Sequence, residues 1–202
     1  MRLGTIVPSI IALAIAGHPV HAQDPSLPDG AVSLVDQDRL GSHVALCAQT
    51  GGLPVQQGAR TIIPTAVWVG EGAGFYKLNA GLGACDPSWS PNGRQLAVIA
   101  ADGLWIFPAE SSVGSLRVQA RVPIGELTEY TYRAFAHPKW SPDGALIALV
   151  VTNGGASWVE VFEASNGRLF YTSPPEGYSF AWGNTARDLK VGDLDVHLPP
   201  HP

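Results

Sequence analysis

Few side chains in this 202-residue sequence lie at the spacing that catalysis or metal binding requires. His43, His137 and His197 stand far apart and lack the short intervals of a zinc site. The segment from Gly177 to Ala181 is similar to the Gly-x-Ser-x-Gly turn of serine hydrolases, but alanine replaces the last glycine. The sequence therefore predicts no catalytic residue and no cofactor.

Two neighbouring acids offer the best candidate for a metal site. Asp193 and Asp195 flank Leu194, and alternate residues of a strand point to one face, so both carboxylates could meet one calcium ion. Calcium takes about six to eight oxygen ligands, and two are too few. The sequence therefore predicts no metal site, while an ion or small-ligand site at the axis of the fold stays an alternative.

The first 22 residues have the composition of a signal peptide. Positive charge at the start precedes an apolar run from Leu3 to Gly17, and small residues occupy Val20 and Ala22. We expect cleavage before Gln23. A retained anchor is the alternative, but about 15 apolar residues fall short of the roughly 20 that span a bilayer, and no later segment is long enough. The mature chain is therefore expected outside the cytoplasm, periplasmic or secreted, without a transmembrane segment.

Cys47 and Cys85, the two cysteines of the sequence, are predicted to form a disulfide. An exported chain meets an oxidising compartment, in which an even number of cysteines indicates pairing. Two buried thiols are the alternative. A zinc site is less favoured, because two distant cysteines lack the paired spacing of zinc ligands.

The composition excludes several classes of protein. Charged residues make up 14% and hydrophobic residues 46% of the chain, which is too apolar for disorder. The net charge of -5 comes without a basic run, so nucleic acid is not an expected partner. The 23 glycines and 17 prolines interrupt the chain too often for long helices, which favours short strands joined by turns.

A repeated segment gives the clearest information about the fold. Residues 86–99 and 137–150 align without a gap, and residues 178–191 form a weaker third copy. Each strong copy reads as a β-hairpin whose turn combines a proline, which presets φ, with a glycine, which permits positive φ. Because these residue types recur at the same place, we interpret them as structural: Trp89, Pro91, Gly93, Trp140, Pro142, Asp143, Gly144 and Trp182. His137 replaces Asp86 in the second copy and is interpreted as a turn cap rather than a general base.

The core of both strong copies, Asp/His-Pro-x-Trp-Ser-Pro-Asn/Asp-Gly, resembles the TolB-type β-propeller repeat. Two other segments, 44–52 and 75–81, resemble the last strand and exit turn of further blades. The resemblance implies an all-β fold, a β-propeller or partial propeller of about four four-stranded antiparallel blades over residues 23–198, followed by a proline-rich tail at 199–202. Nothing in the chain resembles the amino-terminal domain of TolB.

The last predicted blade, which contains Trp182, is one strand short. We expect a strand near Ala31 to Val35 to pair in this blade and close the ring, because closure removes an exposed sheet edge. Without closure, about four blades form an open arc whose edges are available to a partner or to a second copy.

The expected function is that of an exported, non-enzymatic protein-interaction module in the cell envelope. Propellers also support enzymes and small-ligand binders, so fold alone does not decide the class. The alternatives are a calcium-dependent lactonase-like hydrolase and a small-ligand or ion binder.

Overall fold

The computed structural model describes residues 32–38, 43–57, 60–71, 74–108, 120–123, 133–175 and 179–200. These residues form seventeen β-strands and no helix. The predicted all-β class is therefore confirmed. No helix in this part of the chain has the length and hydropathy needed to cross a membrane. The predicted signal at residues 1–22 and residues 201–202 of the predicted tail lie outside the described residues.

In chain order, the strands are β1 (Val32–Gln37), β2 (His43–Gln49), β3 (Val55–Gln57), β4 (Arg60–Ile62), β5 (Thr65–Glu71), β6 (Gly74–Lys77), β7 (Cys85–Trp89), β8 (Gln95–Ala100), β9 (Gly103–Pro108), β10 (Ala120–Pro123), β11 (Arg133–Trp140), β12 (Leu146–Asn153), β13 (Ala156–Glu163), β14 (Leu169–Thr172), β15 (Phe180–Trp182), β16 (Asp188–Val191) and β17 (Leu194–His197).

Fifteen of these strands form four antiparallel sheets, which we call blades I to IV. Blade I has the order β1-β2-β5-β6, blade II β7-β8-β9-β10, blade III β11-β12-β13-β14 and blade IV β15-β16-β17. The remaining strands, β3 and β4, form a separate hairpin inserted between β2 and β5 of blade I. The described residues thus contain three four-stranded blades and one three-stranded blade.

The repeated turns use the chemistry that their residue types predict. The hydroxyl of Ser141 donates to Asp143 Oδ1 at 2.6 Å and accepts the backbone N–H of Leu146 at 3.0 Å. Ser90 makes the same two contacts in blade II, where asparagine occupies the acid's position. Gly144 has a φ of +75°, a left-handed conformation that favours glycine. The turn residues thus fix the first hairpin of blades II and III.

An indole hydrogen bond links successive blades. The Nε1–H of Trp140 in blade III donates to the carbonyl oxygen of Ser88 in blade II at 2.8 Å. Trp182 in blade IV repeats the contact with the carbonyl oxygen of Lys139 at 3.0 Å. Trp140 and Trp182 therefore both pack between sheets and hold blades III and IV in register with the blade before each.

In the described part of the chain the core consists of three apolar layers, one between each pair of adjacent blades. The layer between blades II and III contains Trp140 and Phe135, and the layer between blades III and IV contains Leu189 and Val191. Strands β8 and β12 are buried on both faces because they contribute to the layers on either side. This explains their continuous apolar sequence.

The expected closure of the ring by the first strand is wrong. Strand β1 pairs with β2 in blade I and extends as far as Gln37. Segment 44–52, expected as the last strand of a blade, instead supplies the second strand, β2, of the same blade. Among the described residues, no strand pairing joins blade I to blade IV.

Candidate functional site

A cleft of about 480 Å³ opens beside the inserted hairpin, and we call it the insertion cleft. Ile62 lines it from the hairpin, Thr65 from blade I, Ile99 from blade II and Phe135 from blade III, and Ile63 lines it from the link after the hairpin. Three blades therefore contribute to one cavity, whose volume suits a small molecule or a side chain of another protein.

The predicted disulfide is present at one wall of this cleft. Cys47 in β2 and Cys85 in β7 are bonded, with Cα atoms 5.1 Å apart, and the bond joins blade I to blade II. Cys85 lines the cleft, whereas Cys47 is fully buried. The disulfide thus fixes the position of the blade that carries the inserted hairpin.

Asp86 brings a carboxylate to the same cleft. Its φ of +54° lies in the left-handed region, which aspartate tolerates better than most residues, and it occupies a bulge of β7. One oxygen, Oδ2, accepts the backbone N–H of His137 at 2.5 Å. His137 occupies the matching bulge of β11 with the same φ, and its imidazole lies 3.7 Å from that oxygen. The bulges thus aim both polar residues at one junction between blades.

A second polar group lies at the junction of blades I and II. Asp36 Oδ2 accepts the backbone N–H of Trp89 at 2.6 Å. Asp38 accepts hydrogen bonds from the backbone N–H of His43 at 3.3 Å and pairs with its ring nitrogen at 2.9 Å, and that ring packs against Trp89. The indole N–H of Trp89 is buried without a hydrogen-bond partner among the described residues, so the indole contact that Trp140 and Trp182 make is missing here.

Burial raises the pKa of Asp36 above its ordinary value, and the nearby charge of Asp38 adds to the effect, against two backbone hydrogen bonds that lower it. A carboxyl whose pKa is raised on folding stabilises the fold below the ordinary aspartate pKa, and this stabilisation is lost as the pH rises through the raised value. At neutral pH, the ionised Asp36 therefore costs stability.

We expect Asp36→Asn to raise the melting temperature at pH 7, because the amide oxygen can still accept the Trp89 N–H without a buried charge. The gain should shrink as the pH falls and the carboxyl of the unchanged protein becomes protonated. Melting curves from pH 3 to pH 7 measure the difference. Asp143→Asn is the matched control and should change little, since Asn92 fills the equivalent turn of blade II. An Asp36→Asn variant that melts lower at pH 7 would contradict the argument.

The face that blade IV turns away from blade III is polar. Lys190 lies directly opposite Asp195 in the register, and His197 Nδ1 lies 3.0 Å from Asp188 Oδ1. A hydrogen bond from Thr185, followed by the contact with His197, lowers the pKa of Asp188. Such a face suits contact with water, whereas each inner layer between blades is apolar.

The weaker candidates from the sequence do not come together. Asp195 lies on β17 and Asp193 in the preceding turn, and the described part of the chain holds no group of three acidic, histidine or cysteine side chains suited to a metal ion. Ser179 is exposed just before β15, and His197 belongs to the polar face of blade IV. Trp89 and Trp140 are buried. The insertion cleft itself was not predicted.

Solved structures with propeller folds are similar to this chain. The β-propeller domain of Cps50 (Swd1) from Myceliophteria thermophila matches 79% of this chain and 49% of its own length, at 13% identity and a TM-score of 0.56. The periplasmic gluconolactonase PpgL from Pseudomonas aeruginosa matches 88% of this chain and 58% of its own, at 14% identity and a TM-score of 0.55.

This chain has a β-propeller fold. It spans about half the length of these two structures, 49% and 58%. TolB from Acinetobacter baumannii matches 80% of this chain and 37% of its own, at 16% identity and a TM-score of 0.46. No protein-family model and no curated protein matches the sequence. At these identities the likeness extends to the fold alone, and the TolB repeat type stays a prediction.

Proposed function

We propose that this chain is an exported, non-enzymatic β-propeller protein that binds another protein of the cell envelope through the insertion cleft and the apolar side chains around it. The observation that carries the proposal is the exposure of large apolar residues there. Leu53 is 87% and Ile63 55% exposed, and Val55 and Leu82 are exposed as well. We call Leu53, Val55, Ile63 and Leu82 the insertion surface. Apolar side chains exposed together are typical of protein-binding sites.

The position of these residues supports the same function. Val55 lies opposite Ile62 in the inserted hairpin, Ile63 follows the hairpin, and Leu82 precedes a glycine that lines the cleft. The hairpin forms a sheet of its own and does not extend any of the four blades. The exposed apolar side chains of this insertion do not stabilise the fold, and contact with a partner explains their presence beside a cavity.

Two features support export. The sequence begins with the charge, apolar run and small residues of a signal peptide, and the Cys47–Cys85 disulfide is typical of an oxidising compartment. The partner is therefore expected in the same compartment, among proteins of the cell envelope.

The chemistry of the cleft favours binding over catalysis. Asp86 is the one acid among its described lining residues and no histidine lies among them, although His137 lies next to Asp86. Its cysteine is bonded in the disulfide rather than available as a thiolate nucleophile. We therefore expect no hydrolysis of gluconolactone above the buffer rate, with or without calcium. Turnover of that lactone would favour the enzyme instead.

Capture of the partner from cell-envelope extracts tests the proposal. The unchanged mature chain is the bait. We expect the Leu53→Ser/Ile63→Ser double variant to capture about one tenth or less of the amount of any protein that the unchanged chain captures. Leu169→Ser/Leu194→Ser is the matched control, since these leucines are 50% and 40% exposed on blades III and IV. Equal capture by both double variants would overturn the proposed surface.

A further inference from the structure

We infer that Asp86 anchors a lysine side chain of the bound partner in the insertion cleft. The inference rests on the proposed function and adds the chemistry that the cleft recognises. Asp86 is the one charged side chain among the described residues that line this cavity, and the other side chains there are apolar or uncharged. The cleft thus combines apolar and neutral polar groups with a single negative charge.

The carboxylate of Asp86 is held in place before any ligand binds. Its backbone lies in a bulge with a φ of +54°, and its Oδ2 accepts the N–H of His137 from the next blade. The other oxygen, Oδ1, has no hydrogen-bond partner among the described residues. The side chain as a whole is 24% exposed, so the carboxylate is partly removed from water. A carboxylate that is held in place and partly desolvated binds a cation more strongly than a mobile acid on the surface does.

The walls of the cleft suit the stem of a long basic side chain. Ile62 and Ile63 come from the hairpin side, and Ile99 and Phe135 from the blades. Lysine combines an apolar stem of four methylene groups with a terminal ammonium, and such side chains bury the stem while the charge meets a polar partner. A volume of about 480 Å³ accommodates this side chain together with part of its neighbours.

The geometry favours lysine over arginine. A guanidinium binds a carboxylate best with two parallel hydrogen bonds, one to each oxygen. Oδ2 of Asp86 already accepts the backbone N–H of His137 and lies 3.7 Å from its ring nitrogen, so this oxygen is crowded and Oδ1 is the more accessible one. An ammonium needs only that one oxygen. The net charge of -5 also favours the approach of a basic segment over an acidic one.

Short peptides test the inference without knowledge of the partner. The probes are acetyl-Leu-Lys-Leu-amide, the same peptide with arginine, and an uncharged version with norleucine in place of lysine. Binding to the full mature chain is followed by NMR from the backbone amides of Ala100, Ala101 and Gly83, which line the cleft. We expect the lysine peptide to bind at least about tenfold more tightly than the norleucine peptide, and more tightly than the arginine peptide.

Asp86→Asn should abolish this preference for lysine over norleucine while it keeps the fold, because asparagine also tolerates a left-handed φ and its amide oxygen can accept the His137 N–H. Asp143→Asn removes one charge in a distant turn and should keep the preference. Equal binding of the lysine and norleucine peptides to the unchanged chain would overturn the inference even if the variant failed to fold. Loss of the preference in Asp143→Asn would overturn it as well, since a general charge effect would then be sufficient.

Failure of the anchor and failure of the proposed function give different results. If Leu53→Ser/Ile63→Ser loses the captured protein and Asp86→Asn retains it in full, the surface stands and the lysine anchor is wrong. If the double variant retains the protein while Asp86→Asn loses the lysine preference, the cation site stands and the proposed surface is wrong.

Discussion

Trp140→Ala should lower the free energy of unfolding by about 3 to 5 kcal/mol. The side chain is 7% exposed and packs in the layer between blades II and III, near Phe135 and Phe162. Its indole also donates to the carbonyl oxygen of Ser88 across that layer, so truncation opens a cavity and leaves a partly buried carbonyl without its partner. Denaturant titration followed by fluorescence and circular dichroism measures the change.

Two further variants separate packing from hydrogen bonding. Trp140→Phe keeps an aromatic ring in the layer and should cost about 1 to 3 kcal/mol, mainly for the unsatisfied carbonyl. Trp158→Ala is the matched control, because this tryptophan is only partly buried and its indole bonds within blade III to Glu160. It should cost clearly less than Trp140→Ala. An unchanged unfolding midpoint for Trp140→Ala, together with loss of partner capture, would move Trp140 from packing to recognition.

The sequence predicts blades II and III well because their local and global signals agree. Residues such as Pro142 and Gly144 specify the turn by themselves, and the tryptophan that precedes each turn has a packing role that depends on its neighbouring blade. Both strong copies therefore carry enough local information to define a hairpin. The third copy keeps Trp182 and the backbone bond from Gly183 to Asp188, although its turn residues differ.

Blade I is harder to predict because other residues replace the repeated ones. Asp38 occupies the place of Ser90, and its carboxylate accepts the N–H of His43 as the serine hydroxyl accepts that of Gln95. The strand before it lacks the tryptophan, and a hairpin interrupts the blade after β2. The same geometry is thus formed with different chemistry, which a search for repeated residue types does not detect.

Closure of the ring could not be judged from strand counts. Among the described residues blade IV has three strands, and this short count predicts a strand from the other terminus, but the polar character of its outer face is the more informative feature. Lys190 and Asp195 face each other there, and Leu189 and Val191 on the same hairpin face blade III. Alternation of charge and apolar residues along β16 is a sequence signal of a solvent-facing end.

The insertion cleft was missed because its residues come from distant parts of the chain. Ile63, Asp86 and Phe135 are brought together only when three blades pack. The sequence holds one signal of the cleft. A polar residue precedes the proline in both strong copies, Asp86 in the first and His137 in the second, and the two lie at matching bulges next to one junction between blades. The hydrogen bond between the blades and the position of the hairpin beside the cleft are seen only in the structure.

Loss of the disulfide should lower the free energy of unfolding by about 3 to 4 kcal/mol. The bond closes a segment of 38 residues, so its removal restores conformational freedom to the unfolded chain, and it also joins β2 of blade I to β7 of blade II. The Cys47→Ser/Cys85→Ser variant is compared with the unchanged protein by denaturant titration. Reduction of the unchanged protein by dithiothreitol should reproduce the loss, and the variant should not respond to dithiothreitol.

The location of the change is as informative as its size. Adjacent blades contact one another through separate apolar layers, so loosening of blade I should raise amide exchange in β2 and β5 and leave β12 and β13 of blade III protected. Trp140→Ala acts on the layer between blades II and III, and its cost should add to that of the disulfide variant within about 0.5 kcal/mol. Strong non-additivity would show that the two layers are energetically coupled. Exchange that rises equally in blade III would show that the blades open as one unit and that the disulfide stabilises all of them.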